Sequence, residues 1–142
     1  MQARRPLGLP RRRKAARRGT AAVEFALVAP IFFMLMIGMI EVGRAIMVQQ
    51  VLINASRVGA RRAVMLSSSE QEVLDAVSNY FTGVGLTGVS ASVAPDPAVA
   101  EGGDAITVTT TVAYSSVTWL PTPWFMGDKT LSATSVMRKE GF

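Results

Sequence analysis

The chain has no cysteine and no histidine. Those two absences exclude Ser-His-Asp and Cys-His nucleophilic catalysis, thiolate chemistry, and any imidazole or thiolate metal site. No disulfide can staple the fold, which is neutral about compartment, because an exported domain of about 100 residues can do without one. Acids are missing from the first 18 residues, which hold eight of the 15 Lys and Arg (Arg4, Arg5, Arg11, Arg12, Arg13, Lys14, Arg17 and Arg18). The rest of the chain carries seven bases against ten acids, a net charge of −3. The pI of about 10.4 therefore belongs to the N-terminal stretch, and the body is mildly acidic. That balance argues against a basic nucleic-acid-binding face, so no nucleic acid is expected as a partner. No Gly-rich phosphate loop and no spaced ligand cluster occurs, so no cofactor, no metal and no catalytic residues are expected. Asp96, Glu101 and Asp104 match no calcium-loop spacing and read as a solvated loop.

What is present is a long apolar run. Between Glu24 and Glu41 lie 16 residues without a charge, broken only by Pro30 and Gly38 as poor helix formers. Twenty residues at ~1.5 Å rise span roughly 30 Å, the thickness of a bilayer's hydrocarbon. A buried core helix fits poorly, because 142 residues leave too little chain to wrap a helix that is apolar all round. A secretory signal peptide shares the basic start, but Glu41-Val42-Gly43-Arg44 comes next with no small-x-small cleavage site. A membrane-spanning helix fits best. Eight bases precede the span and four arginines (Arg44, Arg57, Arg61 and Arg62) come after it, which places the N-terminus in the cytoplasm.

The helical pattern continues past the span. Val48, Val51, Leu52, Ala55, Val58 and Ala63 recur at helical spacing, opposite Gln49, Gln50, Asn54, Arg57, Arg61 and Arg62. Arg57, Arg61 and Arg62 read first as a solvated helix face, with a lipid-headgroup or partner contact second. The helix is expected to run to about residue 66, ended by Ser67-Ser68-Ser69. Ser69 and Glu72 have capping-box spacing and predict a short helix over 70–82. Alternating Val- and Thr-rich runs then predict strands at about 89–93, 105–115 and 130–138. An antiparallel sheet of this kind needs one face covered, and the two helices are the only cover available. The fold class is α+β: a long N-terminal helix, its first half transmembrane, packed on a short helix and a small antiparallel sheet. Residues 1–18 read as a solvated, disordered arm. The aromatics of the most apolar loop, Trp119, Trp124 and Phe125, read as loop packing, with an interface patch as the sharper alternative.

The junction reads Arg17-Arg18-Gly19-Thr20-Ala21-Ala22-Val23-Glu24-Phe25. A basic run, a glycine, four residues and then Glu-Phe at the head of an apolar span has the form of a type IV prepilin processing site. Glu24 taken alone suits either a helix N-terminus, worth roughly 0.3–1 kcal/mol, or a subunit-pairing role. Glu41 and Arg44 stand i,i+3 and form a candidate pair at the membrane exit, against a plain surface ion pair worth ~0–1 kcal/mol. From Gly19 to Ala63 the sequence resembles the TadE-like family, the pseudopilins of the tight-adherence pilus system. The resemblance rests on Gly19, Glu24-Phe25, Pro30, Gly38, Glu41, Gly43-Arg44, Ala55, Arg57, Gly59-Ala60-Arg61 and Ala63.

The resemblance implies a pilin-like fold and a specific life history. A membrane-embedded aspartyl prepilin peptidase would cut between Gly19 and Thr20, with Arg17, Arg18, Glu24 and Phe25 as recognition elements. The basic leader 1–19 would leave, residues 20–48 would be the transmembrane half of the helix, and 49–142 an extracytoplasmic head. The mature chain of 123 residues, 19 fewer than the 142 of the precursor, would begin at Thr20. Glu24 would then face the freed amine of a neighbouring Thr20 and set the axial register between subunits. Thr20 departs from the apolar or aromatic first residue of many prepilins. The expected role is that of a minor pseudopilin in the bacterial inner membrane. Its implied partners are the prepilin peptidase, the major pilin and other pseudopilins, the assembly platform and the membrane. The alternative is a single-span, signal-anchored protein whose head binds a partner or ligand. An enzyme working through carboxylates would need acids to converge, and those present are dispersed.

Overall fold

The computed structural model describes residues 12–118 and 129–141, with side chains from residue 19 onward. Helix α1 spans Arg12–Ala63 and α2 Glu70–Gly83; strands β1, β2 and β3 span Val89–Ala94, Ala105–Ala113 and Thr130–Arg138. The chain forms two compact units, Met1–Ile40 and Glu41–Phe142. The fold is α+β, as the sequence pattern predicts: a long apolar helix, a short helix and a three-stranded antiparallel sheet in the order β1-β2-β3.

In the N-terminal unit the backbone is helical from Arg12, earlier than the disordered arm expected there. Residues 12–18 are all Arg, Lys and Ala, which are strong helix formers. Every large apolar side chain from Val23 to Ile40 is exposed, by 45% to 73%. Pro30 sits inside the helix and leaves the carbonyl four residues before it without its helical donor.

The C-terminal unit holds the core. Ala45, Val48, Leu52, Ala55, Ala60 and Ala63 form the buried stripe of α1, spaced by three, four and five residues. They face Ile106, Val108 and Val112 from the inner face of β2, and Val73, Val77 and Phe81 from α2. Small residues on α1 let the elements approach closely. A Cβ on Gly59 would lie 2.6 Å from Val77 Cγ2 and 2.9 Å from Val108 Cγ1. Val58, expected on the apolar stripe, is 39% exposed, and the buried position is taken instead by Ser56.

Polar groups in this core are satisfied. Thr110, fully buried, donates from its hydroxyl to the Leu52 carbonyl at 3.1 Å. Ser56 donates to Ile53 O at 2.9 Å and lies 2.8 Å from the Ser135 hydroxyl. Gln49 Nε2 donates to Ser132 O at 2.8 Å. These bonds tie α1 to β2 and β3 at fixed heights along the helix.

The ends of the elements have local causes. α1 stops at Ala63, and the Arg62 carbonyl near its end accepts from the Met65 amide at 3.3 Å and from the Ser68 hydroxyl at 2.9 Å. Ser69 caps α2 with the reciprocal bonds of a capping box to Glu72. β2 ends at Ala113, and Tyr114–Ser116 form a short 3-10 turn where continued strand was expected. That turn brings Tyr114 into the core at 2% exposure.

Candidate functional site

Gly19 lies within α1, and a Cβ built on it meets nothing within 4 Å. Arg17 and Arg18 belong to the same helical backbone. Thr20 and Glu24 are one turn apart and both exposed, and Phe25 is 71% exposed. Among the described residues, Glu24 has no hydrogen bond or ion pair to any other side chain. A carboxylate near the start of an apolar helical stretch, with no partner among the described residues, is costly in lipid until something supplies one.

The second cluster begins at the first residue of the C-terminal unit. Glu41 Oε1 accepts from the Tyr114 hydroxyl at 2.7 Å and also from the Thr118 hydroxyl. The Tyr114 hydroxyl also lies 3.3 Å from the Glu41 carbonyl oxygen. Arg44 donates from Nε to the carbonyl of Val117. Both charged residues of the candidate exit pair thus grip the segment that leaves β2, about 75 residues away in sequence. The Tyr114 amide in turn donates to Lys129 O at 2.8 Å, bringing the start of β3 to the same place. Burial, then the hydrogen bond to Glu41 and its negative charge, push the Tyr114 phenol up to about 12, against the opposing pull of Arg44. A phenol held protonated at ordinary pH is a donor that fixes Glu41, not a base.

A third feature lies between α1 and α2. Asn54, Arg57, Val58, Arg61, Met65 and Ala76 line an open groove of about 490 Å³. At its rim Arg62 pairs with Glu72 at 3.1 Å. The acids of the 95–104 loop serve local turns: Asp96 accepts from the Ala98 amide at 2.9 Å, and Asp104 from the Glu101 amide at 2.8 Å. Among the described residues no cluster of His, Cys, Asp or Glu has metal-binding geometry. Trp119, Trp124 and Phe125 lie outside the described residues.

Glu41 and Arg44, expected from the sequence as a pair, instead bond Tyr114, Thr118 and the Val117 carbonyl, partners that the sequence did not indicate. In the sequence Tyr114 continues the alternation of Ile106 to Val112, and nothing in its spacing points 73 residues back to Glu41.

One helix among the described residues is long and apolar enough to cross a membrane, with a mean hydropathy of 2.3 in its most apolar stretch and none of that stretch buried. Residues 19–61 match the family described as TadE-like protein, in agreement with the resemblance read from the sequence. No curated protein and no solved structure matches the chain. The match covers 43 of 142 residues and associates the chain with pilus proteins that carry an N-terminal apolar helix.

Proposed function

We propose, from the TadE-like match over residues 19–61, that the chain is a minor pseudopilin of a tight-adherence pilus. It is made as a prepilin and cut between Gly19 and Thr20 by a prepilin peptidase. Arg17, Arg18, Glu24 and Phe25 are the recognition elements. Residues 20–48 then hold it in the inner membrane as a single span, with the N-terminus cytoplasmic and residues 49–142 outside. Its work is structural: it joins the major pilin and other pseudopilins at the assembly platform.

One observation carries this reading. Within the matched segment Glu24, which has no partner among the described residues, stands near the start of the exposed apolar stretch of α1, five residues after a glycine that ends a basic stretch. Cleavage after that glycine creates an ammonium group at Thr20. An ammonium on one subunit and Glu24 on its neighbour neutralise each other where either alone is costly in lipid. Glu41 and Arg44 serve the membrane exit by holding the segment 114–118 against the helix.

Mass spectrometry of membrane-extracted protein tests this. Cells with an active prepilin peptidase are expected to yield a chain that starts at Thr20, and cells without it the intact N-terminus. An uncut chain in both would leave a signal-anchored protein in place of a pseudopilin.

A further inference from the structure

We propose that the groove between α1 and α2 is a docking site for an acidic segment of another protein subunit, one that presents carboxylates beside an apolar edge. Arg57 and Arg61 would receive the carboxylates, and Val58 and Met65 the apolar edge.

The arginines of this region differ in their surroundings. Arg62 is engaged by Glu72 at 3.1 Å and approaches Met65 Sδ at 3.4 Å. Arg57 and Arg61 are exposed, one turn apart, and among the described residues neither has a hydrogen bond or an ion pair. Like charges at that spacing repel each other, so the isolated chain gains nothing from the arrangement. The rest of the body after the N-terminal stretch is acidic overall, which makes this concentration of cations a local exception.

The surface between them is not that of an ordinary solvated helix face. Val58 is 39% exposed and Met65 43%, and both lie on the groove wall with Ala76 of α2 opposite. Paired cations flanking an exposed apolar floor complement a segment with the opposite pattern, and charge complementarity fixes the class of occupant.

Height along the helix disfavours a lipid occupant. Arg57 stands nine residues past residue 48, the expected end of the transmembrane half, and Arg61 thirteen. At ~1.5 Å per residue these are ~13 and ~20 Å, beyond a headgroup layer of roughly 5–8 Å. The inference needs the membrane span but not the processing of the leader, so the two can fail separately.

The test uses the full chain in detergent micelles and a fluorescent synthetic helix with glutamates on one face and leucines on the adjoining one. Binding is expected, weakening as salt rises. The double variant Arg57→Glu/Arg61→Glu should lose at least about tenfold in affinity, whereas Arg57→Lys/Arg61→Lys should stay within about threefold. Val58→Asp should weaken binding as well. Both arginines are exposed, so unchanged thermal melting will show that the variants fold. Unaltered binding after charge reversal would overturn the proposal. So would arginine-dependent binding to phosphatidylglycerol vesicles without binding to the peptide, or arginine-dependent self-association in its place.

Discussion

The carboxylate of Glu41 and the phenol of Tyr114, 73 residues apart in sequence, meet at 2.7 Å at the point where the C-terminal unit begins. Thr118 donates to the same oxygen, and Arg44, one turn along the helix, takes the Val117 carbonyl. The contact joins the helix to the end of β2 through groups that are chemically ordinary but withdrawn in part from solvent.

Tyr114→Phe removes the donor and keeps the ring. A hydrogen bond to a charged group contributes about 1.5–3 kcal/mol. Denaturant unfolding of the C-terminal unit should show a loss of that order. A loss under about 0.5 kcal/mol would mean that Thr118 and Arg44 hold Glu41 without it.

The same contact sets a response to alkali. The folded phenol is raised to about 12, above an unfolded value of about 10. A raised folded value means that the stabilisation is complete below pH 10 and disappears as pH climbs through 12. Over that window stability should fall, by less than the whole shift implies because the phenol oxygen is partly open to solvent. Thermal melts from pH 9 to about 12 check this, and Tyr114→Phe should flatten the curve.

Gly59 is where α1 approaches both α2 and β2. Alanine there would bring Cβ within 2.6 Å of Val77 Cγ2 and 2.9 Å of Val108 Cγ1, two branched side chains with little freedom to move. Overpacking costs about 1–3 kcal/mol, against a gain of up to ~1 kcal/mol in helix propensity. Gly59→Ala should therefore lower the melting temperature. Val77→Ala should cost less in that background than in the wild type, and equal costs would refute the clash.

At the N-terminal end the expected effects divide. Under the proposed cleavage after Gly19, Gly19→Ala should leave residues 1–19 attached, because a Cβ is introduced at the scissile bond. Glu24→Ala should be cleaved normally and fail in assembly. Gel mobility of membrane fractions and pilus counts by microscopy separate the two, and loss of cleavage in both variants would end the division.

Much of this was legible because it is local. The charge-free run before Glu41, the alternation from Ile106 to Val112 and the Ser69/Glu72 capping box each lie within one element, where spacing alone carries the information. The contacts hidden from the sequence join distant positions. Glu41 meets Tyr114 and Gln49 meets Ser132 only after the sheet has formed. The close approach of Val77 and Val108 to Gly59 likewise joins positions far apart in the sequence. Val58 fits the apolar spacing of α1 yet faces the groove, because the neighbouring positions Ala55 and Ser56 take the space beneath the sheet. Charge density and Pro6 and Pro10 suggest a disordered arm over residues 1–18, whereas the intrinsic propensity of Arg, Lys and Ala favours the helix that starts at Arg12.

Among the described residues the first fully inward side chain is Ala45. The large apolar side chains from Val23 to Ile40 are all exposed, so loss of an apolar environment there takes away solubility and leaves the interior whole. Aggregation and denaturation thus become separable failures of one molecule. The first is governed by the bare surface from Val23 to Ile40, the second by Leu52, Tyr114 and the side chains around them.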